Sequence, residues 1–167
     1  MTSMQLNQQV PNFQLKNVTG EDFTFSDVQQ AESAWHLLVY FRGSWCPACQ
    51  KELKQLQEEQ ADFNEHDIHI ITITHDDEQN LKDMADEHGL TFPILLDEEY
   101  SFLKDYEVYY HGEEAPYEDH GNHPEPAYFL VDNHGNLLYQ QRQTNPFGRP
   151  HADELKETIK YIRKNLK

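Results

Sequence analysis

The chain alternates short apolar runs with longer stretches in which apolar residues recur every three or four positions. Residues 10–25 alternate apolar and polar side chains, Val10-Pro11-Asn12-Phe13-Gln14-Leu15-Lys16 and then Phe23-Thr24-Phe25 around Gly20. This predicts a β-hairpin on the domain edge. Ser26-Asp27-Val28 opens a helical turn. Leu37-Leu38-Val39-Tyr40-Phe41 is apolar throughout, as a strand buried on both faces must be. Cys49, Leu53, Leu56 and Phe63 then fall at helical spacing in a segment rich in Glu, Gln and Lys. That spacing predicts an amphipathic helix of about four turns or more.

Residues 68–74 are β-branched at nearly every position and predict the next strand. Leu81, Met84, Ala85 and His88 mark a second helix, closed by Gly89. Phe92-Pro93-Ile94-Leu95-Leu96 predicts a strand, followed by a short helix over 98–106. Residues 127–131 form another apolar strand, and Asn133-His134-Gly135-Asn136 turns the chain into an antiparallel partner, Leu137-Leu138-Tyr139. A final helix begins near Pro150, with Leu155, Ile159, Ile162 and Leu166 on one face. Residues 107–125 break the pattern. They carry His111, His120 and His123, Glu107, Glu113 and Glu114, and Tyr109, Tyr110 and Tyr117, without periodicity, and read as a surface loop insertion.

Strands alternating with helices and ending in an antiparallel pair imply an α/β fold. The expected architecture is a three-layer α/β/α arrangement, a mixed central sheet with an N-terminal hairpin extension, in one domain over 1–167. Chemistry in such sheets gathers at the carboxyl ends of the parallel strands. Cys46 and His75, which follow the first two core strands, are expected at that edge.

A length of 167 residues buries roughly 68–70% of the surface exposed by the unfolded chain, so the core needs no disulfide staple. Two cysteines are too few for a secreted disulfide scaffold and favour a cytosolic redox or metal role. Residues 1–16 lack a basic segment followed by an apolar one, so no signal peptide is expected. No apolar run approaches the length of a membrane span. The expected location is the cytoplasm. The net charge of −17, from 13 basic and 30 acidic residues, opposes binding to nucleic acid or an anionic membrane surface. Neither is expected as a partner, and the acidic surface reads as solubilising.

The candidate chemistry lies in Trp45-Cys46-Pro47-Ala48-Cys49. Proline suits the first turn of a helix, where its missing N–H has no intrahelical partner. Cys46 then stands at or just before the helix N-terminus, where free N–H groups and the macrodipole favour a thiolate. Such settings lower a cysteine pKa from about 8.5 to ~3.5–7.5. Cys49, one turn further on, can attack a mixed disulfide formed at Cys46. The pair could instead be half of a zinc or copper site. No second Cys-x-x-Cys exists, and only His75, His111, His120 and His123 could complete one; no metal is therefore expected. Trp45 is expected to shield the site and contribute to partner docking. Arg42, Arg142 and Arg149 are candidates to stabilise a thiolate, and His75 is a candidate for proton handling. His36, His66 and His69 read as surface or sheet-edge residues.

Several segments together resemble the thioredoxin superfamily, and within it the redoxin group of AhpC/TSA and peroxiredoxin-like proteins. The active-site resemblance lies in Tyr40-Phe41-Arg42-Gly43-Ser44-Trp45-Cys46-Pro47-Ala48-Cys49. Val10-Pro11-Asn12-Phe13-Gln14-Leu15 resembles the group's opening strand, Phe92-Pro93-Ile94-Leu95-Leu96-Asp97 a middle element, and Pro126-Ala127-Tyr128-Phe129-Leu130-Val131-Asp132 the strand after its cis-proline loop. The resemblance implies a thioredoxin-like fold and a thiol–disulfide oxidoreductase using a Cys46/Cys49 couple, with Cys46 as the exposed nucleophile and Cys49 as resolving thiol. It further implies that Pro126 is the cis-proline, preceded by Glu125, and that Pro47 and Trp45 shape the site. Implied partners are a disulfide-bearing protein or low-molecular-weight thiol substrate, or a peroxide, with a cellular dithiol reductant to reset the pair and no cofactor.

Two departures bear on mechanism. Tyr40 stands where thioredoxins carry a buried aspartate, and Val39 and Gly43 stand where peroxiredoxins carry proline and Thr or Ser. The alternatives are a thiol peroxidase with Cys46 peroxidatic and, from another class, a redox-sensing or metal-binding protein.

Overall fold

The architecture is built outward from the run at 35–40, every residue of which is buried. The computed structural model describes residues 4–31, 33–117, 121–145 and 147–167. Its first elements are β1 (Gln14–Asn17), β2 (Asp22–Thr24), α1 (Phe25–Ala31), β3 (Trp35–Tyr40), α2 (Pro47–Glu58) and α3 (Gln60–Glu65). Next come β4 (Ile68–Thr74), α4 (Glu78–His88), β5 (Ile94–Leu96), α5 (Ser101–Asp105), β6 (Tyr110–His111) and β7 (His123–Pro124). The chain ends with β8 (Ala127–Val131), β9 (Leu137–Arg142) and α6 (Ala152–Lys164). Among the described residues seven strands form one sheet, ordered β2-β1-β5-β4-β3-β8-β9. β3, β4 and β5 run parallel, while β8 and β1 pair antiparallel with β3 and β5.

Alternation along β3 divides the core in two. Trp35, Leu37 and Val39 pack with Leu53 and Leu56 of α2, Phe63 of α3, Leu81 and Met84 of α4, and Leu155 and Ile159 of α6. Leu38 and Tyr40 face the opposite layer, with Phe25 of α1 and Phe102 and Leu103 of α5. There the rings of Phe102 and Tyr106 stack at 4.0 Å, and Phe13 packs on Phe25 at 4.9 Å. The expected three-layer arrangement is therefore present.

Four expectations change. The single helix after Cys46 is two, separated by Glu59 at φ −98° and ψ 0°. Leu53, Leu56 and Phe63 still share one core, so the break leaves no mark in the apolar period. His36, expected at a surface or edge, is fully buried against Phe25 (ring centroids 5.4 Å apart). It sits on an interior strand, where both faces are covered.

Residues 107–125 are more than a surface loop, because β6 and β7 pair within them, Tyr110 with Pro124 and His111 with His123. Both histidines are buried; His120 lies outside the described residues. Finally, no cis peptide bond occurs among the described residues, so Pro126 is trans. The Glu125 N–H donates to the Tyr109 carbonyl (2.9 Å) and the Gln143 N–H to the Pro126 carbonyl (2.9 Å). These bonds hold the segment extended into β8, whereas a cis-proline typically serves a tight turn.

Candidate active site

The loop between β3 and α2 is pinned at both ends. The Thr74 hydroxyl donates to the Phe41 carbonyl (2.8 Å), and Ser44 donates through both its N–H and its hydroxyl to Asp76 Oδ2, each at 2.6 Å. The Gln50 amide donates to the Ser44 carbonyl. Cys46 is the N-cap of α2, with Pro47 in the first turn. Its sulfur accepts the Cys49 N–H at 3.2 Å, which satisfies one of the free donors at the helix start.

Two arginines converge on the sulfurs. Arg149 donates from Nη1 to Cys49 Sγ (3.0 Å) and from Nη2 to Cys46 Sγ (3.4 Å). Arg42 places Nη1 3.7 Å from Cys46 Sγ, and its backbone N–H donates to Cys49 Sγ (3.4 Å). Both cysteines are free thiols, each 1% exposed, so Cys46, expected to be exposed, is buried beside Arg42 and Arg149.

A hydrogen bond with Cys49 pulls the Cys46 thiol down to about 5; burial opposes the shift and Arg149 adds to it. Burial pushes Cys49 well above the ordinary thiol range, and its hydrogen bond with Cys46 pushes it the same way. At neutral pH the pair is one thiolate and one thiol.

A thiol with a depressed folded pKa stabilises the fold in full above its unfolded value of about 8.5. That contribution is lost as pH falls through the folded value, about 5. The Tm of the reduced protein relative to Cys46→Ser is therefore expected to decline between those limits as acid is added. Scanning calorimetry would show it, and a flat difference would mean that Cys46 is not an anion at neutral pH.

Gly43 explains one departure from the peroxiredoxin pattern. Its φ of +153° and the packing of Trp45 both require glycine, since a Cβ there would lie 2.3 Å from the indole nitrogen. The indole occupies the space that a Thr or Ser side chain would need. Trp45 is 37% exposed, with the Arg42 guanidinium 4.8 Å from its ring centroid and the His123 ring at 5.2 Å.

Glu125 is fully buried and pairs with Arg42 Nε at 3.0 Å and with His123 Nδ1 at 3.3 Å. The structure thus brings together Arg42, Trp45, Cys46, Pro47, Cys49, Glu125 and Arg149. It leaves His75 elsewhere, with Nδ1 3.0 Å from the Asp97 carbonyl and the ring stacked on Tyr100 at 4.0 Å. Arg142 also turns away, donating to the Tyr106 carbonyl and covering Phe129. Tyr40, in the place of the thioredoxin aspartate, points into the opposite core and donates to Asp97 (2.9 Å).

Sequence reasoning takes His123 only as a possible metal ligand and misses its place beside Arg42 and Trp45. Glu52 is buried one turn after Cys49 and pairs with His151 (2.8 Å). A usable signal existed for His123: in the proline-bracketed run His123-Pro124-Glu125-Pro126, alternate residues of an extended chain share a face. Among the described residues, no group of three or more His, Cys, Asp or Glu is placed to hold a metal ion.

The AhpC/TSA family matches residues 6–140. The chain belongs to the AhpC/TSA family. Within the curated proteins it is similar to the thiol-disulfide oxidoreductase ResA of Bacillus thuringiensis, 25% identical over 138 residues that cover 82% of this chain and 69% of that one. Among solved structures it is similar to the peroxidoxin BcpB of Mycobacterium tuberculosis, with TM-score 0.77 and 18% identity, covering 98% and 99% of the two chains. A point mutant of PrxQ from Xylella fastidiosa superposes with TM-score 0.80 at 15% identity, covering 98% and 99%. These likenesses establish the thioredoxin-like fold. With its paired thiols, this AhpC/TSA protein is an oxidoreductase.

Proposed function

We propose that the protein is a thiol–disulfide oxidoreductase cycling between a Cys46/Cys49 dithiol and its disulfide. The observation that carries the reading is the asymmetry of the pair. Cys46 Sγ receives the Cys49 N–H and lies within reach of two guanidinium groups, while burial keeps Cys49 protonated.

The Cys46 thiolate attacks one sulfur of a substrate disulfide, forming a mixed disulfide and releasing the other sulfur as a thiolate. Cys49 loses its proton and attacks Cys46 Sγ. The Cys46–Cys49 disulfide forms and the second substrate sulfur leaves, taking up a proton. Arg149, bonded to both sulfurs, accompanies the negative charge as it passes between them. A cellular dithiol reductant returns the pair to the thiols, in the cytoplasm on this reading. The substrate class is a disulfide-bearing protein or a low-molecular-weight disulfide, and the relatedness to ResA supports it.

The burial of Cys46 favours a second reading. A thiolate only 1% exposed is more easily reached by a two-oxygen oxidant than by a folded protein. As a peroxidase, Cys46 would take one oxygen to become a sulfenic acid, releasing water or an alcohol. Cys49 would condense with it, expelling water and forming the same disulfide.

Stopped-flow tryptophan fluorescence of the reduced protein with hydrogen peroxide, run beside an insulin-reduction assay, separates the two. Oxidation at the rate of free cysteine with brisk insulin reduction is the expected result. Oxidation orders of magnitude faster than free cysteine, without insulin reduction, would put the peroxidase first.

A further inference from the structure

The β6–β7 hairpin sets an imidazole against the redox site. His123 Nε2 lies 2.9 Å from Arg42 Nη2. A guanidinium only donates, so Nε2 accepts and the proton sits on Nδ1. That nitrogen is 3.0 Å from the Pro124 carbonyl oxygen and 3.3 Å from Glu125 Oε1. His123 is thus bound as the neutral imidazole. A second proton would turn an N–H toward the guanidinium, cation against cation, and open that contact. Arg42 would keep its Nε–Glu125 pair at 3.0 Å, but the orientation of Nη1, 3.7 Å from Cys46 Sγ, would no longer be set from the far side.

We propose that His123, oriented by Glu125, is a positioning residue for Arg42 and makes the reactivity of Cys46 respond to protonation of one imidazole. The inference rests on Cys46 being the reactive thiol. With Arg42, Arg149, Glu125 and the Cys46 thiolate, the buried charges balance. A proton on His123 adds one positive charge to this cluster, which stabilises the thiolate and makes it a poorer nucleophile. Thiolate nucleophilicity falls with pKa at a Brønsted slope of ~0.4–0.5, so each tenfold gain in thiol acidity slows attack about threefold.

Among the described residues, the groups facing His123 include Arg42 and Trp45 from the loop after β3, Glu125 from its own segment, and His111 of β6. His111 stacks on it at 5.3 Å and 11°, with the Glu114 carboxylate 3.8 Å beyond. Because His111 is a second imidazole in contact with the first, its variant belongs in the test.

The experiment is the rate of iodoacetamide alkylation of Cys46 in the reduced full-length protein, followed by mass spectrometry from about pH 4.5 to about pH 8.5, a span that brackets imidazole titration. Two rises are expected, the first as Cys46 ionises and the second, about threefold, as His123 loses its proton. In His123→Gln, whose amide can still accept from Arg42, the second rise disappears and the upper rate is reached directly. His111→Gln keeps both rises. In Glu125→Gln the second rise moves to lower pH, because the carboxylate no longer favours the imidazolium.

A single rise in the wild-type protein overturns the proposal, as does a second rise that persists in His123→Gln or vanishes only in His111→Gln. Alkylation involves no turnover, so failure here is distinguishable from failure of the oxidoreductase reading, which insulin reduction tests.

Discussion

Cys46→Ser protein is expected to show no insulin reduction above the reagent background, whereas Cys49→Ser is expected to stop after one half-cycle with substrate bound to Cys46. The contrast follows from the geometry. Cys46 alone combines the N-cap position, the Cys49 N–H and two nearby guanidinium groups, so its removal leaves no activated sulfur. Cys49, buried and held as a thiol, is a poor first nucleophile but is well placed for intramolecular attack. Without it the mixed disulfide has no partner in the chain, and it should accumulate as a mass adduct that a reductant removes. Reduction of insulin by Cys46→Ser at the wild-type rate would show that the nucleophile has been misassigned.

The largest stability effect is expected at Asp97, far from the thiols in sequence and on the opposite face of the sheet from them. Its side chain is fully buried and accepts from the Tyr40 hydroxyl (2.9 Å) and from the Phe102 and Leu103 N–H groups (each 3.0 Å). The N-cap of α5, Tyr100, sits at φ +59° and makes no side-chain cap bond, so Asp97 caps this short helix from outside. Its own N–H donates to the Thr74 carbonyl (2.8 Å), which ties β4, β5 and α5 together.

Asp97→Ala strands three buried donors at once, a loss of about 3–5 kcal/mol. In a chain of this size that is a fall in Tm of about 10–15 °C. Tyr40→Phe removes one donor and should lose about 1 kcal/mol. Thermal melts of the two variants check the ratio; equal and small losses would mean that solvent, rather than Asp97, satisfies the α5 amides.

Much of the fold was legible along the chain. The period of Cys49, Leu53 and Leu56 marks the buried face of α2, and the β-branched run at 68–74 is β4. Gly89 closes α4 in the left-handed conformation, φ +63°. Each signal is local: a periodicity, a cap or a residue that tolerates positive φ. The same locality gave the thiol pair, since Cys46, Pro47 and Cys49 lie within one helical turn.

Locality failed where burial comes from across the sheet. His36 looks polar in sequence, yet β4 and β8 flank its strand. His111 and His123 lie in a segment without periodicity because a two-residue pairing is too short to leave one. Pro126 matches a family position, but its peptide bond is trans, in a segment where the Glu125 N–H donates to the Tyr109 carbonyl and the Pro126 carbonyl accepts from the Gln143 N–H.

The order of elements, the α/β class and a dithiol at a helix start were thus determined by the sequence itself, because they depend on residues a few positions apart. Which cations would serve the thiolate was decided only by the tertiary structure. Arg149 lies 103 positions from Cys46, and Arg42 lies 81 from His123. They meet because β8 begins beside the end of β3, Ala127 opposite Tyr40, and β9 returns to that end, Arg142 opposite Ala127, which brings the segments before β8 and after β9 to the mouth of the first core strand. Three arginines were equal candidates in the linear chain; Arg42 reaches Cys46 from the loop that carries both, whereas pairing across the sheet brought Arg149 to the sulfurs and sent Arg142 to the other face.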